Sequence, residues 1–310
     1  LSVAITPPKF KLAFLGPKFW PVWISMSLLY IVTWLPFPVI RVLGRGAGVL
    51  LGALAKSRVK VARKNISLCF PNLSQAEQDK LVKANLYRAG MGLFETAMGW
   101  WWPDWRVRKH GEVEGLEHAK AVLAQHKGVF GMALHNMNLE FACRVLGLSY
   151  PSVAFYRKHN NPLMDYLQYR GRARSNKYMI HKRNARALLA ALDEGELCLY
   201  LPDQDYGRNQ SIFVPFYGVK ETATTTATLM FIRRTDSIPL MVTSQYTDTG
   251  YKVKFYPPLM ALKELDDEAG LTLLNAKIET IIDEQPDSYL WMHKRFKTRP
   301  DPEAPSLYKD

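Results

Sequence analysis

The chain has 310 residues, 48% hydrophobic and 22% charged, which builds a sizeable folded core and excludes a disordered or low-complexity protein. Its formal charge of +13 is local: residues 1–76 hold ten Lys/Arg and no acid, and residues 157–186 hold nine against Asp165 alone. Two such patches point to an anionic partner rather than to general solubility, and three cysteines (Cys69, Cys143, Cys198) without paired spacing exclude a disulfide framework or a zinc site.

Between Lys18 and Arg41 lie 22 uncharged residues, FWPVWISMSLLYIVTWLPFPVI. About 20 suffice to span a hydrocarbon core, and Trp20, Trp23, Tyr30 and Trp34 suit a membrane interface. The run lacks a signal-peptide cleavage site. Basic residues flank it on both sides, so a helix lying in the leaflet fits as well as a crossing. We expect residues 1–57 to be a membrane-anchoring segment, with an apolar helix over about 19–40 and a basic flank. Residues 58–310 are expected to form an α/β domain.

Ser74 with Glu77 predicts a capped helix running to about Trp100. WWWPDW (100–105) is an aromatic cluster read as core or as a lipid contact. Strands are predicted at Gly128–Leu134, Ser152–Tyr156, Leu197–Leu201 and Ser211–Phe216. Helices are predicted at Leu139–Leu146, Pro162–Gly171, Ala185–Leu192, Thr222–Arg234 and Asp266–Asp283. Ile238–Tyr246 and Tyr251–Tyr256 read as a hairpin around Asp248-Thr249-Gly250. The alternation argues for a mixed sheet covered by helices.

The stretch GVFGMALHNMNLEFACRVLG (128–147) places one histidine and one glutamate inside apolar sequence. His135 would stand at the carboxyl end of a strand, where such sheets bind ligands. Residues five apart on a helix are separated by about 140°, so Glu140 could meet His135 only across a turn. A carboxylate on one ring nitrogen would make the other a general base. No Ser or Cys nucleophile lies in the motif and no G-x-S-x-G occurs, so the nucleophile would be the substrate's own hydroxyl. As a metal site the pair is short of ligands.

Seven stretches in order are similar to the late lipid A acyltransferases: ARKNISLCFPNLS, GMGLFETAMGWWWPD, LHNMNLE, NPLMDYLQYRGRARSNK, LPDQDYG, IFVPFYGVKETATTTAT and YLWMHKRFKTRP. The resemblance covers almost the whole chain. It implies a glycerolipid-acyltransferase-like fold at the inner membrane of a Gram-negative bacterium, single-pass or monotopic, with the active site facing the cytoplasm. It implies transfer of an acyl group, leaning to lauroyl, from acyl carrier protein to a 3-hydroxyacyl chain of Kdo2-lipid IVA, with no cofactor; no nucleic-acid partner is expected, because the sequence carries no known RNA or DNA recognition motif. LPDQDYG then stands where wider kin carry P-E-G, with Asp203 in place of Glu, and Pro215 matches a shape-determining proline.

His135 is the expected base and Glu140 its orienting partner. Attack on a thioester also needs a donor for the oxyanion, and Arg172 is the candidate, serving either it or a phosphate. Arg157, Arg170, Arg174, Lys177, Asp203, His293, Lys294 and Arg295 are the expected substrate-binding residues; the guanidinium forks among them suit phosphate, and the role of Asp203 is left open. The competing readings are an acyl-thioester hydrolase, which would direct the same base at water, and a non-enzymatic membrane protein that binds anionic lipid.

Overall fold

The computed structural model describes residues 4–309. Helices α1 (Trp20–Thr33), α2 (Phe37–Leu54), α3 (Lys56–Cys69), α4 (Gln75–Trp101) and α5 (Asp104–His110) precede the first strand. The apolar run over 19–40 is therefore two helices and not one. Pro36 disfavours helical geometry at Leu35 and lacks an N–H, so α1 stops at Thr33 and α2 restarts at Phe37. Among the described residues only α2 is both long and apolar enough to cross a membrane, with mean hydropathy 1.5. The predicted capping box is present: Ser74 N–H donates to Glu77 at 2.8 Å, and Glu77 N–H to Ser74 Oγ at 3.4 Å.

The rest alternates as β1 (Gly111–Glu114), α6 (Leu116–Leu123), β2 (Val129–Ala133), α7 (Leu139–Ser149), β3 (Ser152–Tyr156), α8 (Pro162–Ala173), β4 (Asn176–His181), α9 (Ala185–Asp193) and β5 (Leu197–Tyr200). Then come β6 (Ser211–Phe216), β7 (Val219–Thr225), α10 (Ala227–Arg233), β8 (Ile238–Tyr246), β9 (Tyr251–Pro258) and α11 (Asp267–Glu284). Residues 222–225, read as the start of a helix, are instead strand. The threonines are β-branched and pair with β6, and the helix begins only at Ala227.

Seven strands form one mixed sheet in the order β1-β9-β8-β2-β5-β3-β4, and β6 and β7 form a separate antiparallel ribbon. Among the described residues, only β8 and β9 run antiparallel in the large sheet, as the predicted hairpin requires. Side chains sort by the period of two. Phe130, Met132, Cys198, Tyr200 and Met241 enter a core shared with α9, α10 and α11. Val129, Leu197, Leu199, Leu240 and Val242 enter the opposite core, with α7 and parts of α2 and α4. Both faces are covered, which is why β2 is an uninterrupted apolar run.

Against α4, α2 presents Phe37, Ile40, Gly44 and Gly48. A Cβ on Gly90 of α4 would stand 2.2 Å from Gly44 O and Gly48 N, so the two backbones touch and only glycine fits. The other side of α2 leaves Val42, Val49, Leu50 and Leu54 exposed, and α1 exposes Trp20, Ile24, Leu28 and Ile31 along one face.

Candidate active site

Register builds the site. β2 and β5 are parallel neighbours pairing Val129 with Leu197 and Met132 with Tyr200, a constant offset that brings His135 and Asp203 level just beyond the strand ends. His135 Nδ1 lies 2.7 Å from Asp203 Oδ1, and the His135 backbone N–H donates to Oδ2 at 2.8 Å. A carboxylate only accepts, so Nδ1 carries the proton and Nε2 is left free as a base. Asp203 is fully buried. Burial pushes its carboxyl up, but the charge and two hydrogen bonds of His135 outweigh this and hold it below the usual aspartate range.

The carboxylate on the histidine is thus Asp203, which corrects the expectation that Glu140 orients the ring. Helix α7 begins at Leu139, and Asn138 precedes it in a tight turn, so Glu140 sits in the first helical turn and reaches α8 and α4 instead. It accepts from Arg172 Nε at 2.8 Å and from Arg172 Nη2, and from Trp100 Nε1 at 3.3 Å. Arg172 Nη1 makes no hydrogen bond among the described residues. The backbone of Gly171 lies flat on the Trp100 indole, where a Cβ would come within 2.2 Å of the ring.

The turn carrying His135 is clamped from both sides. Asn136 Nδ2 donates to Thr243 Oγ1 at 3.0 Å and Ser244 O at 2.7 Å, and Ser244 Oγ donates to Asn138 Oδ1 at 2.5 Å. The segment after α11 crosses beside the turn: Leu290 N–H donates to His135 O at 2.9 Å and Met137 N–H to Ser288 O at 2.8 Å. That segment is itself pinned by Asn65 on Trp291 O and His293 O, and by Asn85 on Asp287 O and Tyr289 O. The asparagines of H-N-M-N and the buried Asn65 and Asn85 are the supporting residues that sequence reasoning missed. Asn136 and Asn138 had a signal, amides in a turn between two apolar runs, whereas Asn65 and Asn85 sit in charged helices and had none.

A cavity of about 860 Å³ opens from His135, walled by Phe155, Tyr200, Met230 and Phe231, with Lys182 and Arg183 on its lining. Those two cations were missed as site residues although they lie within the second basic patch. Met132 and Phe141 are ordinary core.

The three residues His293, Lys294 and Arg295 diverge. His293 is partly buried near the dyad, its Nε2 accepting from Asp205 N–H at 3.3 Å, and burial lowers its pKa despite the nearby Asp203 charge. Lys294 faces Tyr308 and a basic groove along α3. Arg295 is buried, its terminal nitrogens spent on Ala223 O at 2.5 Å and Thr224 Oγ1 at 3.2 Å. It braces β7, which corrects its expected place at a substrate phosphate. Lys177 pairs with Glu196 at 2.5 Å on the sheet's edge strand, and Arg157 is exposed beyond β3. Arg174 donates to Trp100 O at 2.6 Å and Trp102 O at 2.9 Å, tying off the end of α4, while exposed Arg170 contacts Tyr166.

Residues 7–298 match the family of bacterial lipid A biosynthesis acyltransferases. The chain belongs to that family and is an acyltransferase. It is 40% identical to the lipid A biosynthesis lauroyltransferase of Escherichia coli strain K12, over 97% of this chain and 99% of that protein. It is 43% identical to the palmitoleoyltransferase of the same strain, over 97% of this chain and 98% of that protein. Among solved structures, a 1-acyl-sn-glycerophosphate acyltransferase from Thermotoga maritima aligns over 80% of this chain and 97% of that one, with TM-score 0.37 and 13% identity. In this acyltransferase, then, an imidazole backed by a buried carboxylate faces an apolar cavity large enough for a fatty chain.

Proposed function

We propose that this acyltransferase moves a fatty acyl group, lauroyl or one of similar length, from acyl carrier protein to a hydroxyl on a 3-hydroxyacyl chain of Kdo2-lipid IVA. The observation that carries the reading is that His135, with Nδ1 held by Asp203 and Nε2 without a hydrogen bond among the described residues, lines the apolar cavity. Nε2 takes the proton from the acceptor hydroxyl as its oxygen attacks the thioester carbonyl. The tetrahedral intermediate collapses, the C–S bond breaks, and the imidazolium returns its proton to the leaving thiolate. Ester and free carrier thiol are the products. Arg172, held by Glu140 with Nη1 unspent, is the cation proposed for the oxyanion or an adjacent phosphate. No cofactor enters this chemistry.

Residues 1–57 are proposed as the anchoring part and 58–310 as the acyltransferase domain. Backbone contact of α2 with α4, and apolar side chains on the far sides of α1 and α2, favour a helix pair seated in the cytoplasmic leaflet of the inner membrane over a crossing. Lys182 and Arg183 beside the cavity suit an acidic carrier protein.

The test is incubation of the full chain with acyl carrier protein thioesters, with and without acceptor, followed by mass spectrometry of the lipid. Acceptor-dependent ester formation is expected, falling by about 10³-fold or more in His135→Ala. Fatty acid release independent of acceptor would make the protein a hydrolase instead.

A further inference from the structure

A second cavity, of about 560 Å³, is built by different elements from the first: the segment before α1, α1 itself, the end of α4, and α8. Its size falls within the ~300–1,000 Å³ of ordinary ligand pockets. Its walls are aromatic. Tyr30 of α1 packs edge-on to Trp101 at 5.7 Å between ring centres, and Phe10 packs on Tyr166 of α8 at 5.6 Å. Trp100 lines the cavity, and its indole N–H donates to Glu140 at 3.3 Å.

Two arginines line this cavity and differ in what they have left to offer. Arg174 is committed to the carbonyls that end α4. Arg170 donates only to the Tyr166 hydroxyl, at 2.7 Å, and pairs with no carboxylate among the described residues. An exposed guanidinium with open donors therefore stands over an aromatic pocket, next to the helix whose Trp20, Ile24, Leu28 and Ile31 face outward. A ligand that satisfies both halves has an apolar chain and an anionic, phosphate-bearing head, and it arrives from the membrane side. An acyl group carried by a soluble protein matches the first cavity better, because no residue of α1 lines that one and it contains His135 itself.

We infer that this second cavity is the port through which the phosphorylated glycolipid acceptor enters and is held, with Arg170 binding its phosphate. The donor chain then occupies the His135 cavity, and the two substrates approach by separate routes. Trp100 lines this port and its indole N–H donates to Glu140 Oε2, while Arg172 takes Oε1, so the port adjoins the Glu140–Arg172 pair. The inference rests on the acyl-transfer reading, so its test must separate the two.

In Arg170→Glu, the acceptor KM is expected to rise about tenfold or more, as for a lost charge-assisted hydrogen bond, with the donor KM within about twofold. An independent measurement uses the full chain with a photoreactive benzophenone side chain at position 10, irradiated with the phosphorylated glycolipid in mixed micelles. A crosslink to the glycolipid that excess donor thioester does not suppress is expected. An unchanged acceptor KM in the variant overturns the inference, and so does a crosslink to the donor chain in place of the glycolipid. If the unaltered chain transfers no acyl group, the function reading fails, while a glycolipid crosslink still supports the site.

Discussion

Asp203 and Glu95 are both fully buried carboxyls, and their protonation is driven in opposite directions. Glu95, on α4, accepts from Tyr251 at 2.9 Å and Tyr246 at 3.2 Å, and burial pushes its carboxyl up to about 8 despite those bonds and the nearby Arg88. Asp203 has an imidazole and a backbone N–H on its two oxygens, and these overcome burial. Two tyrosine hydroxyls can satisfy a carboxyl without needing it charged, whereas a histidine that must deliver a base needs the carboxylate anion. Burial alone is thus a poor mark of a catalytic acid, and the partner decides. Glu140 is a third case, only partly buried and engaged by a permanent cation, so it serves to aim Arg172.

The sharpest way to break this comparison is Asp203→Asn. An amide can present its NH₂ to Nδ1 and place the imidazole proton on Nε2, removing the base without emptying the site. The expected loss in kcat is about 10⁴-fold, with the donor KM little changed. Steady-state transfer kinetics check it, and a variant retaining a tenth of the activity would end the role given to Asp203.

A smaller effect is expected for Glu140→Gln, which keeps the shape but leaves Arg172 without its counter-charge. Transfer should fall by about ten- to a hundredfold, and combining it with Arg172→Met should cost much less than the product of the two single losses. If Glu140→Gln instead matched Asp203→Asn and lost nothing further when combined with it, the two carboxylates would share one function and the distinction between them would collapse.

Which carboxylate held His135 was the part of the site that sequence could not reveal. The five-residue gap to Glu140 is visible on the page, but the gap to Asp203 closes only when β5 lies beside β2 in parallel, and that neighbour relation is set by the sheet order. What was legible came from local physics. The apolar run of β2, the Ser74–Glu77 box, and the hairpin of β8 and β9 are each specified by a few adjacent residues. The misread segments are those where two local signals competed. Pro36 broke an apolar run that composition alone joined, and the threonines of 222–225 followed their β-branching into a ribbon. Arg295 fell among basic neighbours that suggested a phosphate, yet it is buried against β7 because the strand's carbonyls and a threonine hydroxyl there need a donor.

Glu95→Gln is the mildest test and isolates the other half of the comparison. The folded-state pKa of Glu95 lies near 8, above the ordinary glutamate value, so the native protein binds one more proton than the unfolded chain between about pH 4.5 and 8. Stability must then fall as pH rises through that window, by about 1.4 kcal/mol per unit from this group alone, and the contribution is fully present only at the acid end. Asp203 has the reverse sign: its stabilisation is present above the unfolded aspartate value and is lost as pH falls through the depressed native one. Glutamine at position 95 keeps an acceptor for one tyrosine and does not titrate, so the variant's unfolding free energy should lose that downward slope and exceed the parent's increasingly toward pH 8. Denaturant unfolding at a series of pH values reads this directly. Parallel curves for parent and variant would mean that Glu95 is ionised in the fold, and that two tyrosines can hold a buried carboxylate as well as a histidine does.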